Sequence, residues 1–322
     1  MRKSAIVLIL LTFLISGCKV QEKQYINNKV PENRTNHILN KEQSQNKKQK
    51  DNMTNLKSNQ MGKIMILMYH RFTEKETDDW TRSFDNFKND LQILYDKGYR
   101  PINLRDYIDG KIDISAGYTP VVFTFDDGTA GQFNLIEKEG MLVANPKSAV
   151  GIMEEFNKTH PDFRLKGTFF INYTSFFSGK GTSEQKLKYL TDKGFEIGNH
   201  TMSHINLKKA ASPEIIQQEI GGHTKKTSEL MPNYMVDELA LPLGISSKKF
   251  EQYVVEGEYK GLKYKNRAIM LVGSNPALSP FDKNRNLLRL PRIRARGKIS
   301  IENDMYYWLN YFDKNPEQRF VL

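Results

Sequence analysis

The chain has one cysteine in 322 residues, so it can form no intrachain disulfide, and a disulfide-stapled secreted scaffold is excluded. Proline (12) and glycine (21) are too few and too irregular for a collagen-like or low-complexity chain. After the first line no run of about 20 apolar residues occurs, and no internal transmembrane helix is expected. The bulk of the chain also lacks a strong charge of one sign. The formal net charge is +11, but residues 1–60 hold 11 Lys and Arg against four Asp and Glu. That leaves +4 for residues 61–322, which is no phosphate footprint, so a nucleic-acid partner is not expected. What remains, at 39% hydrophobic and a mean hydropathy of −0.59, is a globular domain behind a basic N-terminal segment.

That segment opens with Arg2 and Lys3, followed by an apolar run from Ala5 to Ile15 and then Ser16, Gly17 and Cys18. A run of eleven residues, ten of them apolar, is too short to span a bilayer, so residues 1–18 read as an export signal. Ile15-Ser16-Gly17-Cys18 resembles the lipobox of bacterial lipoproteins. The resemblance implies lipidation at Cys18 and an extracytoplasmic, membrane-anchored protein. Residues 19–60 are rich in Asn, Gln, Lys, Ser and Glu and cannot bury enough apolar surface to offset their conformational entropy. They read as a tether.

From residue 61 to 322 short β-branched runs alternate with amphipathic stretches, the pattern of an α/β domain. Eight strands are predicted, at 63–69, 99–102, 120–126, 167–172, 194–199, 239–242, 268–273 and 288–293. Eight strands and about 260 residues suit a (β/α) barrel of typical length about 250, with an open doubly wound sheet as the competing architecture. Phe84, Phe87, Leu91 and Leu94 predict a helix capped by Ser83. Ile301, Met305, Trp308, Leu309 and Phe312 predict another after Ser300.

The strand at 120–126 runs into Asp126-Asp127-Gly128, two adjacent carboxylates at the end where α/β folds place their chemistry. Adjacent ionised carboxylates repel, and a bound cation relieves the conflict. As an isolated tripeptide, Asp-Asp-Gly is equally a surface turn. At another strand end stand His200 and His204, which on a helical turn would present both imidazoles to one metal ion.

Thr124-Phe125-Asp126-Asp127-Gly128, Gly167-Thr168-Phe169-Phe170 and His200-Thr201-Met202-Ser203-His204 resemble the signatures of NodB-type polysaccharide deacetylases, carbohydrate esterase family 4. Met68-Tyr69-His70-Arg71 is similar to the first-strand motif of an extracellular branch acting on poly-N-acetylglucosamine. The resemblance implies a distorted (β/α) barrel, a divalent metal, usually zinc, held by Asp127, His200 and His204, and Asp126 as general base. It implies acetylated polysaccharide or peptidoglycan as the partner. Ala240-Leu241-Pro242-Leu243-Gly244 corresponds to the family's Arg-Pro-Pro-Tyr-Gly, with Ala240 where an arginine often steadies the base and the Leu243 N–H as oxyanion donor.

The family's last motif supplies a histidine that protonates the leaving amine, and no histidine follows His223 here. His70, at the end of the first strand, is the substitute the barrel geometry offers, acting as a protonated imidazole. Its other reading is a packed strand-end histidine. Arg292 and Arg294 read either as cations in the vacated region or as a solvated edge. His160 and His223 are assigned no role. Tyr173, Phe176 and Phe177 follow a strand end, with Tyr173 the candidate to stack on a sugar, although such residues also pack beneath loops. The chemistry fits an N-deacetylase, an O-acetyl glycan esterase, or a catalytically weak glycan-binding protein.

Overall fold

A computed structural model describes residues 57–296 and 303–322. The expected signal, Cys18, most of the tether, Ser300 and Ile301 lie outside the described residues. Asn59 and Gln60, assigned to the tether by composition, are part of the fold: Asn59 exchanges backbone hydrogen bonds with Val321, and the Gln60 carbonyl accepts from Ser279 Oγ. Among the described residues no helix is long and apolar enough to cross a membrane.

In chain order the strands are β1 (Met65–Tyr69), β2 (Arg71–Thr73), β3 (Thr81–Ser83), β4 (Tyr99–Ile102), β5 (Thr119–Asp127), β6 (Leu135–Lys138), β7 (Met141–Ala144), β8 (Thr168–Ile171), β9 (Glu196–Asn199), β10 (Glu238–Ala240), β11 (Glu256–Tyr259), β12 (Leu262–Lys265), β13 (Ala268–Met270) and β14 (Ile293–Arg294). The helices are α1 (Phe84–Asp96), α2 (Leu104–Asp109), α3 (Ala149–Thr159), α4 (Ser183–Asp192), α5 (Pro213–Leu230), α6 (Glu251–Val255) and α7 (Met305–Lys314). One eight-stranded sheet runs β13-β10-β9-β8-β5-β1-β14, with β4 also on β5, and every pairing in it is parallel. These are the eight strands expected from the sequence. β4 and β8 lie end to end along one edge of β5, because β1 occupies the other.

The last strand differs from expectation. Leu287–Arg289 forms a 3₁₀ turn, Leu290 bridges to Met270 of β13, and only Ile293–Arg294 pairs with Leu67 and Met68 of β1. Pro291 has no N–H to donate, and the ladder resumes two residues beyond it. Residues 290–294 thereby link the sheet's two edges and curl it into a distorted (β/α) barrel.

Side-chain alternation on β5 sorts the core. Val121, Phe123 and Phe125 face outward, packing with Phe87 and Leu91 of α1 and Met153 of α3. Val122 faces inward, in a cluster with Ile66, Phe170, Ala240 and Met270. The same period turns Thr124 and Asp126 inward above Val122. Ser83 caps α1 as expected, its Oγ accepting from Asn86 N–H at 3.2 Å. α7 is capped by Asp304, whose side chain accepts from Tyr306 N–H.

Two hairpins, β6–β7 and β11–β12, were not anticipated. Their turns are Glu139-Gly140 (φ 53° and 75°) and Lys260-Gly261 (φ 47° and 79°), left-handed at both positions as a two-residue type I′ turn requires. The first hairpin and α3 fill the long connection between Gly128 and Gly167.

Candidate active site

β5 delivers its two carboxylates to different partners. Asp126, 1% exposed, receives Arg292 Nη1 at 2.7 Å and Nη2 at 2.6 Å on its two oxygens. Arg292, itself fully buried, also donates to Thr124 Oγ1 (3.1 Å) and the Leu271 carbonyl (3.0 Å). Burial alone would raise the Asp126 pKa, but the guanidinium outweighs it and holds the carboxyl well below the usual range. The residue that steadies Asp126 therefore comes from the segment entering β14, while Ala240 stands at the position where the resemblance expects an arginine. The adjacent Asp127 adopts φ 86°, a strained left-handed conformation for a non-glycine residue. This breaks the alternation that would send it outward. Its Oδ1 lies 3.4 Å from His200 Nε2 and 3.3 Å from His204 Nε2.

The two histidines do not ride a helical turn. After β9 the chain forms a loop in which Thr201 (φ 62°) and His204 (φ 57°) are left-handed. Local polar bonds set this shape: Thr201 N–H donates to Asn199 Oδ1, His204 N–H to Thr201 Oγ1, and Ser203 to Glu219 of α5. Asn199 is anchored in turn on the Ile220 carbonyl. The loop brings the imidazole centroids to 4.8 Å.

His200 Nδ1 lies 2.8 Å from the Ala240 carbonyl. A carbonyl only accepts, so Nδ1 carries a proton, and in the neutral ring Nε2 keeps its lone pair. That Nε2 is buried without a hydrogen-bond partner and faces the Asp127 carboxylate. With the ring neutral, two acceptors 3.4 Å apart call for a cation between them, either a metal ion or a second proton on the ring. With His204 added, the three candidate ligand atoms lie within 4.8 Å of one another. Two imidazoles and one carboxylate, with the Nδ1 of one ring fixed by a carbonyl, fit a divalent metal ion such as zinc.

His70, just past β1, is 3.8 Å from Asp126 Oδ2, a contact longer than a hydrogen bond. Burial pushes its pKa down to about 4, more than Asp126 and Asp127 pull it up. The resting imidazole is therefore neutral at pH 7, not the imidazolium expected from sequence. Gln132, in the long connection, donates through Nε2 to both the His70 and Asp126 carbonyls, tying the two strand ends together. No sequence signal marked it.

His70, Asp126, Asp127, His200 and His204 line a cavity of about 250 Å³ with Trp80, Leu241, Leu243 and Val272. Leu243 is 59% exposed, left-handed (φ 61°) and stands at the rim of the cavity. Tyr173 does not line the cavity. Its hydroxyl bonds Thr227 Oγ1 at 2.8 Å and its ring stacks on Phe176 at 5.4 Å, so it packs beneath the loop. Phe177 is buried against Phe133 and Phe169. His160 stacks on Phe156 at 4.0 Å, and His223 is buried beside Tyr173, both away from the cavity. Trp80 is the wall residue that sequence reasoning missed.

Residues 115–262, a little under half of the chain, match the family model for polysaccharide deacetylases. YxkH of Bacillus subtilis (strain 168), provisionally named a polysaccharide deacetylase, is 22% identical over 202 residues, 62% of this chain and 63% of that protein. Among solved structures, the polysaccharide deacetylase BC0361 of Bacillus cereus aligns at TM-score 0.55 and 19% identity over 73% of this chain and 65% of that one. The deacetylase PplD of Streptococcus pyogenes, solved with acetate, aligns at 0.56 and 19% over 81% of this chain and 100% of that one. The chain thus spans under two thirds of the length of YxkH and of BC0361. At these identities the structural likeness is one of fold, and the matched fold is this barrel.

Proposed function

We propose that the chain is a metal-dependent hydrolase that removes N-acetyl groups from N-acetylglucosamine units of a surface polysaccharide or peptidoglycan. The observation that carries this reading is the convergence of Asp127, His200 and His204 beside a separately held, ionised Asp126. Asp127, His200 and His204 would hold the ion, with zinc suited to that donor set. Once bound, such an ion polarises the acetyl carbonyl and acidifies a water molecule.

The chain's own groups do the rest. Asp126 accepts a proton on the lone pairs that Arg292 leaves free, and the bidentate clamp keeps the carboxylate aimed. His70 starts neutral, so the proton it gives to the leaving nitrogen is one passed on from the Asp126 side within the same cycle. The Leu243 N–H at the rim is the proposed oxyanion donor. Lipidation at Cys18 would hold the domain outside the cytoplasm on a membrane.

One observation favours a second reading. A neutral His70 is a poor resting acid, and acetyl esters with good leaving groups need none, so an O-acetyl glycan esterase is the alternative. Acetate release from chitooligosaccharide, β-1,6-linked acetylglucosamine polymer and acetylated xylan, with and without added zinc, decides between them. Zinc-dependent release from either amide substrate is expected. Release from xylan alone would transfer the assignment to the esterase, and no release from any would leave a glycan-binding protein. Labelling of the full-length chain with a clickable fatty acid, lost in Cys18→Ser, tests the anchor; an unlabelled parent protein would remove it.

A further inference from the structure

The loop that carries His200 and His204 holds backbone strain. Thr201 (φ 62°) and His204 (φ 57°) are left-handed without being glycine, and such residues persist only where surrounding contacts over-determine them. Two of those contacts lie inside the loop: Thr201 N–H to Asn199 Oδ1, and His204 N–H to Thr201 Oγ1. The others reach it from α5. The Ile220 carbonyl holds the Asn199 amide at 3.0 Å, and Glu219 holds the middle of the loop three times over. Its carbonyl accepts Met202 N–H at 2.9 Å, its Oε2 accepts Ser203 N–H at 2.9 Å, and its Oε1 accepts the Ser203 hydroxyl at 2.6 Å. The Met202 carbonyl is taken in turn by Tyr173 N–H at 3.0 Å.

Glu219 is a costly group to bury. It is 7% exposed, and among the described residues no lysine, arginine or histidine lies within ion-pair distance of it. A carboxylate leaves water at a penalty that only hydrogen bonds or a cation offset. The two bonds that its oxygens receive both come from Ser203, the residue before His204. The other two candidate ligands have supports of their own: Asp127 sits in its left-handed turn, and His200 is fixed by the Ala240 carbonyl. The His204 side chain is 35% exposed against 2% for His200, so its aim depends most on the loop that carries it.

We infer that Glu219 is a positioning residue for the metal site: through Ser203 it fixes the backbone beside His204, so that the imidazole faces Asp127 and His200 before an ion arrives. The inference rests on the ligand set proposed above. Preorganisation of this kind appears as affinity, and losing a group that orients a ligand typically weakens metal binding about 10–100-fold.

Zinc titration of the metal-free full chain by calorimetry tests this, with cobalt(II) absorption as the signature of coordination geometry. Glu219→Ala should weaken zinc about 10–100-fold and alter the cobalt spectrum. Glu219→Gln keeps an oxygen for the Ser203 N–H and can turn its amide N–H to the hydroxyl oxygen, so it should recover most of the affinity. Glu219→Asp, one methylene short, should not. Ser203→Ala, which keeps the N–H bond, should cost less than Glu219→Ala and add little on top of it. If Glu219→Ala does not fold, Glu219→Asp and Ser203→Ala carry the same comparison. A merely structural Glu219 would behave like Gly140→Ala, a substitution at a turn with nothing within 4 Å of the added Cβ: a lower melting temperature with zinc affinity unchanged. Unchanged zinc affinity in Glu219→Asp and Glu219→Ala would overturn the inference. A parent chain that binds no zinc would retire the ligand set and the inference with it. Zinc binding that depends on Glu219 in a chain that releases no acetate would retire the hydrolase reading and leave the role of Glu219 standing.

Discussion

The side of the cavity that carries the proposed metal ligands and the side formed by His70, Trp80 and Arg292 are held by different means. On the first side Asp127, His200 and His204 are placed by local backbone geometry: left-handed φ angles at Asp127, Thr201 and His204, and short-range bonds such as Thr201 N–H to Asn199. All three proposed ligands fall within the matched stretch, 115–262. On the second side the groups lie outside that stretch, and the decisive contact, Arg292 to Asp126, joins residues 166 apart. Locally encoded ligands keep their spacing in a motif. The residue that steadies the base needs only to arrive from some neighbouring strand, and here it arrives from the barrel's closing segment instead of from β10.

The comparison breaks most visibly at Asp126, which belongs to the matched stretch by position and to the closing segment by contact. Asp126→Asn should lower acetate release by about 10²–10⁴-fold, the usual worth of general acid–base catalysis, while zinc stays bound. Asp127→Asn, His200→Ala and His204→Ala should instead lower zinc occupancy itself. Metal analysis of the purified variants checks the division, and full zinc retention in both histidine variants would refute the ligand set.

His70 tests the second side alone. With an amide substrate His70→Ala should cost about 10²-fold or more in rate, whereas aryl acetates, whose leaving groups need no proton, should be largely spared. Equal small losses on both substrates would show that His70 only packs against Trp80.

How much of this was legible in the sequence follows the same division. The eight sheet strands, the Ser83 cap and the convergence of Asp127 with the two histidines were readable, because each rests on a period or a contiguous motif. The Arg292 pairing was not, since Arg292 and Arg294 look alike in sequence and only strand register separates a buried partner from a rim cation. The neutral state of His70 was hidden for a related reason: burial is a tertiary property, and here it outweighs two nearby carboxylates. Tyr173 failed as a sugar platform because Thr227, on a helix with no motif, claims its hydroxyl. Trp80 was passed over because nothing in the sequence from His70 to Ser83 shows that the chain folds back over the cavity.

The ion pair across the two sides should be visible in stability. Arg292→Met leaves a buried carboxylate without its cation and should cost about 3–5 kcal/mol, whereas Arg292→Met combined with Asp126→Leu should recover most of that. The pH dependence has a definite sign. The native Asp126 pKa is depressed, so its contribution is full above the ordinary carboxylate pKa of about 4 and is lost as pH falls from there toward the native value. The gap between parent and Arg292→Met should therefore be widest near neutral pH and shrink in acid. Urea unfolding at pH 7 and pH 3 measures it, and a gap that does not narrow in acid would mean the pair carries little of the stability.

The smallest effect separates the matched stretch from the site it contains. Gly140, in the β6–β7 turn, lies within residues 115–262 yet has nothing within 4 Å of where a Cβ would sit. Its φ of +75° is the sole obstacle to a side chain. Gly140→Ala should cost about 1–2 kcal/mol from left-handed strain and lower the melting temperature by a few degrees, with zinc binding and acetate release unchanged. Gly128, in the same stretch but immediately after Asp127, combines φ +72° with an Ile171 methyl 3.3 Å from the place an added Cβ would take. Gly128→Ala should disturb Asp127 and reduce zinc affinity as well as stability. If the two alanine variants lost zinc equally, the left-handed turn at Asp127 would not be what places the ligand, and the local half of the comparison would fail.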